Sequence, residues 1–127
     1  MEEREFVQAV SERTGLSRQE SADLTRATLE TLAHRLSGGE DRALERELPE
    51  GLAESVRRGA TSAIEAFSYA EAVRRVAERN MLKKSEADSG VRAVLVTLRD
   101  AISEKEFGNL MSQLGSDFSQ PVEDFAG

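Results

Sequence analysis

The sequence predicts an all-α protein that contains two copies of one helical unit. Apolar residues recur at the three- and four-residue spacing of a buried helical face, and no segment alternates apolar and polar residues as a strand does. Laid against itself, the chain aligns Val10–Leu52 with Val76–Phe118 without a gap, and 14 of the 43 positions are identical. An internal repeat of this length indicates a duplicated supersecondary unit.

Length and composition predict a single compact domain over residues 1–127. The chain has 39% hydrophobic and 32% charged residues, a mixture that suits amphipathic helices with solvated outer faces. Aromatic residues make up only 5%, so we expect a core of leucine, valine, isoleucine and alanine. The absence of cysteine excludes disulfides, thiolate metal sites and a cysteine nucleophile.

The first copy, residues 1–52, is predicted to form three helices. Capping boxes at Ser17–Glu20 and Ser37–Glu40 mark the starts of the second and third helices. The predicted helices are about Glu2–Thr14, about Arg18–Leu36 and a short segment that carries Leu44 and Leu48 and stops at Pro49.

The second copy, residues 66–118, repeats this order of elements. Capping boxes are predicted at Ser68–Glu71 and Ser103–Glu106. Lys83 replaces the serine that would cap the middle helix, so we expect that cap to be lost. The predicted helices are about Tyr69–Asn80, about Lys84–Ile102 and a third segment with Phe107, Leu110, Met111 and Leu114, which stops at Gly115.

A linking helix at about 50–67 is predicted to join the two copies, which gives about seven helices in all. Its apolar stripe consists of Leu52, Val56, Ala60, Ala63, Ile64 and Phe67. The final segment, 119–127, contains Pro121 and no basic residue. We therefore expect a loosely ordered tail there.

Several of these motifs carry a family resemblance. The turn at Arg35–Glu40, the following Leu44 and Leu48-Pro49, and the Phe6-Val7 start resemble the signature of the prokaryotic domain of unknown function 2267 family. The second copy matches as well, through Ala93-Val-Leu95, Leu98, Ile102-Ser103, Glu106 and Leu114. The resemblance covers nearly the whole chain and implies a helical fold. It implies no activity, catalytic residue or cofactor.

The net charge of −7 bears on partners and location. The acidic residues are spread evenly, and only three of the 17 basic residues are lysine. Such a surface is typical of a salt-loving host, although a GC-rich genome would give the same arginine bias. No apolar stretch is long enough for a membrane span, and the start of the chain is acidic rather than basic. We therefore expect a cytoplasmic protein with no membrane partner.

The single histidine, His34, is the first candidate for acid–base chemistry or metal binding. Glu30 lies one turn earlier, but di-iron bundles need a Glu-x-x-His spacing and several inward carboxylates. No serine has an evident base beside it, and Gly38-Gly39 reads as a turn rather than a phosphate loop. The sequence therefore predicts a surface histidine, no catalytic residue, no metal site and no cofactor.

An acidic run surrounds the predicted third helix of the first copy. It lacks the spacing of a calcium loop, and Arg42 and Arg46 are interleaved with it. We interpret it as a solvated helix face with ion pairs, and a weak cation site is the alternative. The run comprises Glu40, Asp41, Glu45, Glu47, Glu50 and Glu54.

Basic residues are densest around the start of the second copy, which makes nucleic-acid binding an alternative to weigh. Each copy has helix–turn–helix spacing, but acidic residues stand at the start of both long helices and the net charge repels phosphate. Direct nucleic-acid binding is therefore the weaker hypothesis. A small anion between the repeats is the stronger one, and its candidate ligands are Arg74, Arg75, Arg79, Lys83 and Lys84.

The favoured prediction is a non-enzymatic module that binds another protein, including a second copy of itself. Small residues on the linking helix, namely Gly59, Ala60 and Ala63, would let a neighbouring helix approach closely. Val91 and Val94 point to different sides of one helix, which indicates apolar surface beyond a single core stripe. A partner could cover that surface, or the two copies could bury it against each other.

Overall fold

The computed structural model describes residues 1–125, and eight α-helices lie within them. The helices are α1 Glu3–Thr14, α2 Arg18–Ala33, α3 Gly38–Glu47, α4 Glu50–Gly59, α5 Tyr69–Asn80, α6 Lys84–Ala101, α7 Glu104–Leu114 and α8 Ser116–Glu123. This part of the chain contains no strand, so the predicted all-α class is confirmed. None of its helices combines the length and apolar character needed to cross a membrane.

The predicted linking helix at about 50–67 is wrong in its second half. Helix α4 ends at Gly59, and residues 60–68 run to α5 without helical structure. The amide of Glu65 donates a hydrogen bond to the carbonyl of His34 at 2.9 Å, which ties this stretch to the end of α2. Phe67 is buried, with the Arg75 guanidinium 4.2 Å from its ring centroid. Tertiary contacts therefore hold an extended path where the apolar stripe predicted a helix.

The predicted loose tail at 119–127 is also wrong where the structure describes it. Residues 116–123 form α8, which buries Phe118 and Val122. The rings of Phe118 and Tyr69 meet edge to face, with their centroids 5.5 Å apart. A short helix that contains proline has little stability of its own, so this packing accounts for its order. The last two residues of the predicted tail lie outside the described part of the chain.

Each half of the protein has four helices: α4, the first part of the predicted linking helix, is the fourth of the first half, and the prediction of about seven helices missed α8. The helices of the two halves begin at residues 3 and 69, 18 and 84, 38 and 104, and 50 and 116. Every pair keeps the offset that relates Val10 to Val76 in the sequence repeat. The duplication itself stays a prediction. The order of the helices is the order expected if the chain contains two copies of one unit.

The two halves pack against each other through several pairs of helices. Helix α1 packs on α6, α5 packs on α2, and α2 packs on α6. Leu24 on α2 lies over Gly90 on α6, and a Cβ atom built on Gly90 would come within 2.2 Å of a Leu24 methyl carbon. These two residues occupy equivalent positions of the two halves. A large side chain in one half thus fills the space that glycine leaves in the other.

This packing buries, within the chain itself, residues that the sequence analysis considered for contact with a partner. Val91 and Val94 are both fully buried. Gly59 faces the backbone of α2, where an added Cβ would be 2.0 Å from the carbonyl oxygen of Glu30. A neighbouring helix thus approaches this glycine closely, and that helix is α2 of the same chain.

Candidate functional site

The five residues predicted to bind an anion do not converge on one point. Arg74, Arg75 and Arg79 lie on α5, whereas Lys83 and Lys84 stand at the beginning of α6. Arg79 lines a cavity beside the first turn of α2, and Lys84 lines a different cavity between α5 and α6. An anion site that uses all five residues stays a prediction without geometric support.

Two of the three arginines share a carboxylate on their own helix. Arg74 donates two hydrogen bonds to the Glu71 carboxylate at 2.7 and 2.8 Å, and Arg75 donates one to the same carboxylate at 2.9 Å. These hydrogen bonds lower the pKa of Glu71 to about 2. Arg79 in turn bonds Glu30 of α2 at 2.9 Å. An incoming anion would have to displace these carboxylates, so the arginines are poor ligands for it.

The cavity beside Lys84 has a mainly apolar lining and a volume of about 500 Å³. We call it the α5–α6 groove, and its lining residues are Tyr69, Ala70, Val73, Lys84, Ser85 and Asp88. The Tyr69 hydroxyl donates to Asp88 Oδ1 at 2.9 Å, and burial raises the pKa of Tyr69. Arg92 donates to the same oxygen at 3.2 Å. The negative charge of Asp88 is thus compensated by hydrogen bonds from Tyr69 and Arg92.

A second groove lies at the equivalent place between α1 and α2. Its lining residues are Glu3, Arg4, Val7, Arg18, Gln19 and Ala22, and each is the repeat equivalent of one of the residues that line the α5–α6 groove. This α1–α2 groove is charged, and its Glu3 forms a 2.7 Å ion pair with Arg26. The two halves therefore have grooves at equivalent positions with two different chemistries.

The turn between α5 and α6 carries an unusual methionine. Met81 has φ 54° and ψ 43°, and 92% of its surface is exposed. Left-handed backbone is unfavourable for residues with a Cβ atom. The equivalent residue of the first half is Gly15, with φ 79°. The second half thus keeps a left-handed turn but places an exposed apolar side chain on it.

Comparison with known families places the chain in one of them. The family described as "Uncharacterized conserved protein (DUF2267)" matches residues 3–120, which is nearly the whole sequence. The protein belongs to the DUF2267 family. No curated protein matches the sequence. The predicted resemblance is confirmed, and the family description assigns no activity.

A further feature of this DUF2267 protein is a pair of glutamates where α3 meets α7. The carboxyl groups of Glu40 and Glu106 lie close together, and a hydrogen bond between them requires that one of them carries a proton. Burial raises the pKa of Glu40 to about 8, helped by the hydrogen bond and the nearby charges of Glu106 and Asp41. Burial likewise raises the pKa of Asp41 to about 6, and the charge of Glu45 adds to the effect.

Contacts across the same helix pair explain why these carboxyl groups face each other. Ser37 and Ser103 cap α3 and α7 as predicted. Neither glutamate side chain, however, accepts the hydrogen bond from the serine amide that would complete a capping box. The Ser37 amide instead donates to Gln113 Oε1 at 2.6 Å, and the Ser103 amide donates to Glu47 Oε1 at 2.6 Å. Both predicted capping boxes are therefore only half formed.

The sequence interpretation missed this glutamate pair. Glu40 and Asp41 were assigned to a solvated acidic face, which is wrong, since Asp41 is 2% exposed and its oxygens are buried. The available signal was the repeat itself, because Glu40 and Glu106 are equivalent positions of the two copies. Within residues 1–125, no cluster of histidine, aspartate and glutamate is arranged to hold a metal ion.

His34 stands at the C-terminal end of α2 and is half-buried. Its carbonyl accepts the hydrogen bond from the Glu65 amide, and the hydrogen bond from Arg75 lowers the pKa of the Glu65 carboxyl group. The contact that the structure shows for His34 is therefore this backbone hydrogen bond between the end of α2 and the 60–68 segment.

Proposed function

We propose that this protein is a non-enzymatic interaction module that binds another protein through the turn between α5 and α6. The observation that carries the proposal is Met81, an exposed methionine on left-handed backbone where the equivalent residue is Gly15. The turn itself needs no methionine, since glycine makes it in the first half. We infer that binding of a partner by the Met81 side chain offsets the strain of this backbone conformation.

The side chain suits this role. Methionine is unbranched and polarizable, so it adapts to irregular partner surfaces. Among residues 1–125, the large apolar side chains that are exposed are Met1, Ile64 and Met81, and Met81 is the most exposed of them. Leu82 follows it and is only partly buried. The turn therefore presents a small apolar edge.

The acid groups of the molecule favour binding over catalysis. The carboxyl pair of Glu40 and Glu106 is the best candidate for proton transfer, but one oxygen of each is shielded from solvent. A general acid or base must reach its substrate at hydrogen-bond distance. The proposal accordingly assigns no catalytic residue, and a cytoplasmic location is part of it.

Photo-crosslinking from position 81 tests the proposal. We would place a benzophenone amino acid at Met81 and, as the matched control, at Gly15, and illuminate cells of the host. We expect one defined adduct from position 81 and none from position 15. Excess wild-type protein should suppress the adduct, and the M81G variant should not. The absence of an adduct at position 81, or equal competition by M81G, would contradict the proposal.

Light scattering then separates two kinds of partner. A mass near twice 13.9 kDa for the purified wild type, lowered to the monomer mass in M81G, would identify the partner as a second copy. A monomer mass for both, together with the adduct at position 81, would identify a different protein. Measurements at low and high salt would show whether charge contributes to the contact.

A further inference from the structure

We propose that the α5–α6 groove binds a small amphipathic anion, with a short alkyl chain or one ring as its apolar part and one carboxylate as its head. The inference rests on Tyr69, Ala70, Val73 and Lys84, and it is independent of the protein contact proposed at Met81. It concerns a site within the second half of the chain rather than between the halves.

The floor of the groove is apolar and held in place before any ligand arrives. Tyr69 and Val73 are 8% and 2% exposed, so their rings and methyl groups are fixed by the core. The Tyr69 ring packs against Phe118, and its hydroxyl is bonded to Asp88. Small-molecule sites are typically preformed, mainly apolar and several hundred Å³ in volume. At about 500 Å³ the groove has room for a short chain or a single ring.

The charge at the groove selects a negative head group. Asp88 accepts hydrogen bonds from Tyr69 and Arg92, so its charge is compensated inside the protein. Lys84 forms no ion pair within residues 1–125, and its side chain is exposed at the edge of the groove. It is therefore the groove's available cation. A carboxylate there would gain a charge-assisted hydrogen bond while its tail covers the apolar floor.

The α1–α2 groove shows which part of the ligand carries the selectivity. It has a cation at the same place, since Arg18 is the equivalent of Lys84. It has Glu3 and Arg4 where the α5–α6 groove has Tyr69 and Ala70. A bare anion would thus find a cation in either groove. Only an anion with an apolar part would prefer the α5–α6 groove, because burial of that part adds to the attraction.

Tyr69 provides a reporter inside the site. It is the only tyrosine of the chain, which has no tryptophan, so tyrosine fluorescence reports on the groove alone. We would titrate the intact protein with octanoate and, separately, with acetate, which has the same head without the tail. We expect a saturable change with octanoate and none with acetate over the same concentrations.

Matched substitutions assign the response to the groove. K84Q should weaken octanoate binding roughly tenfold, as loss of one charge-assisted contact would. A70E, which adds a carboxylate to the lining of the groove, should abolish it. R18Q, the equivalent change in the α1–α2 groove, and M81G should leave it unchanged. Circular dichroism would verify that each variant is folded.

Three results would overturn the inference. They are the absence of a saturable response to octanoate in the wild type, an equal response to acetate, and an equal loss in R18Q and K84Q. Loss of the crosslink at position 81 with octanoate binding intact would refute only the proposed protein contact. The two proposals can therefore fail separately.

Discussion

Replacing Glu40 by glutamine should stabilise the protein at neutral and alkaline pH. In the wild type, Glu40 and Glu106 can share a hydrogen bond only while one of them is protonated. The unfolded chain has no such requirement, so folding above the ordinary pKa of glutamate takes up a proton. A glutamine at position 40 donates an N–H to Glu106 without that proton.

The sign and size of the stability change in E40Q follow from the raised pKa of Glu40. Glu40 titrates at about 8 in the folded protein against 4.5 in the unfolded chain. Its contribution to stability is therefore complete below pH 4.5 and is lost as the pH rises towards 8. At about 1.4 kcal/mol per pH unit, the loss by pH 7 is at most about 3 kcal/mol. Because Glu40 is partly exposed, solvent screening reduces the expected gain of E40Q to about 1–2 kcal/mol.

Urea denaturation at pH 5 and pH 8, followed by circular dichroism, measures the effect. We expect E40Q to unfold with a higher free energy than the wild type at pH 8 and with nearly the same free energy at pH 5. E104Q is the matched control, since Glu104 is exposed at the start of α7 and makes the same charge change. A gain that is equal at both pH values, or a less stable E40Q at pH 8, would refute the shared proton.

Four further substitutions test other parts of the structure. D41N should add stability mainly above pH 4, because the buried Asp41 has its pKa raised to about 6, and the same denaturation series measures it. M81G should raise the free energy of unfolding by about 1 kcal/mol by relieving left-handed backbone, and G15A should lower it by a similar amount; thermal melts compare the two. G90A should lower stability by about 1–3 kcal/mol, because its methyl group meets the Leu24 side chain, and an unchanged melting temperature would contradict this packing.

Local signals in the sequence were sufficient for most helices. The serine caps and the repeat offset set the bounds of α5, which lies at Tyr69–Asn80 as predicted. The signals failed where tertiary contacts decide the backbone. The stripe up to Phe67 fits a helix by spacing, yet the structure buries Phe67 between two arginines, Arg35 and Arg75. The order of α8 likewise depends on Phe118 packing against a helix from much earlier in the half.

The candidate sites were less predictable, because they depend on which residues of the two halves meet. The repeat gives 43 aligned pairs in the sequence, but the alignment does not show which of them face each other in space. Arg74 and Arg75 looked like free cations because spacing alone does not show that both hydrogen bond to Glu71. The α5–α6 groove likewise becomes visible only when its lining is compared with that of the α1–α2 groove.

Residues that meet their own equivalents face a constraint that others escape. Two identical side chains at such a point compete for the same space or repel with the same charge. At Leu24 and Gly90 the chain avoids this by divergence in size. At Glu40 and Glu106 both residues are the same, and a shared proton is the remaining way to let them touch. The E40Q variant therefore does by substitution what Gly90 already does for Leu24, since it makes the two sides of the contact complementary.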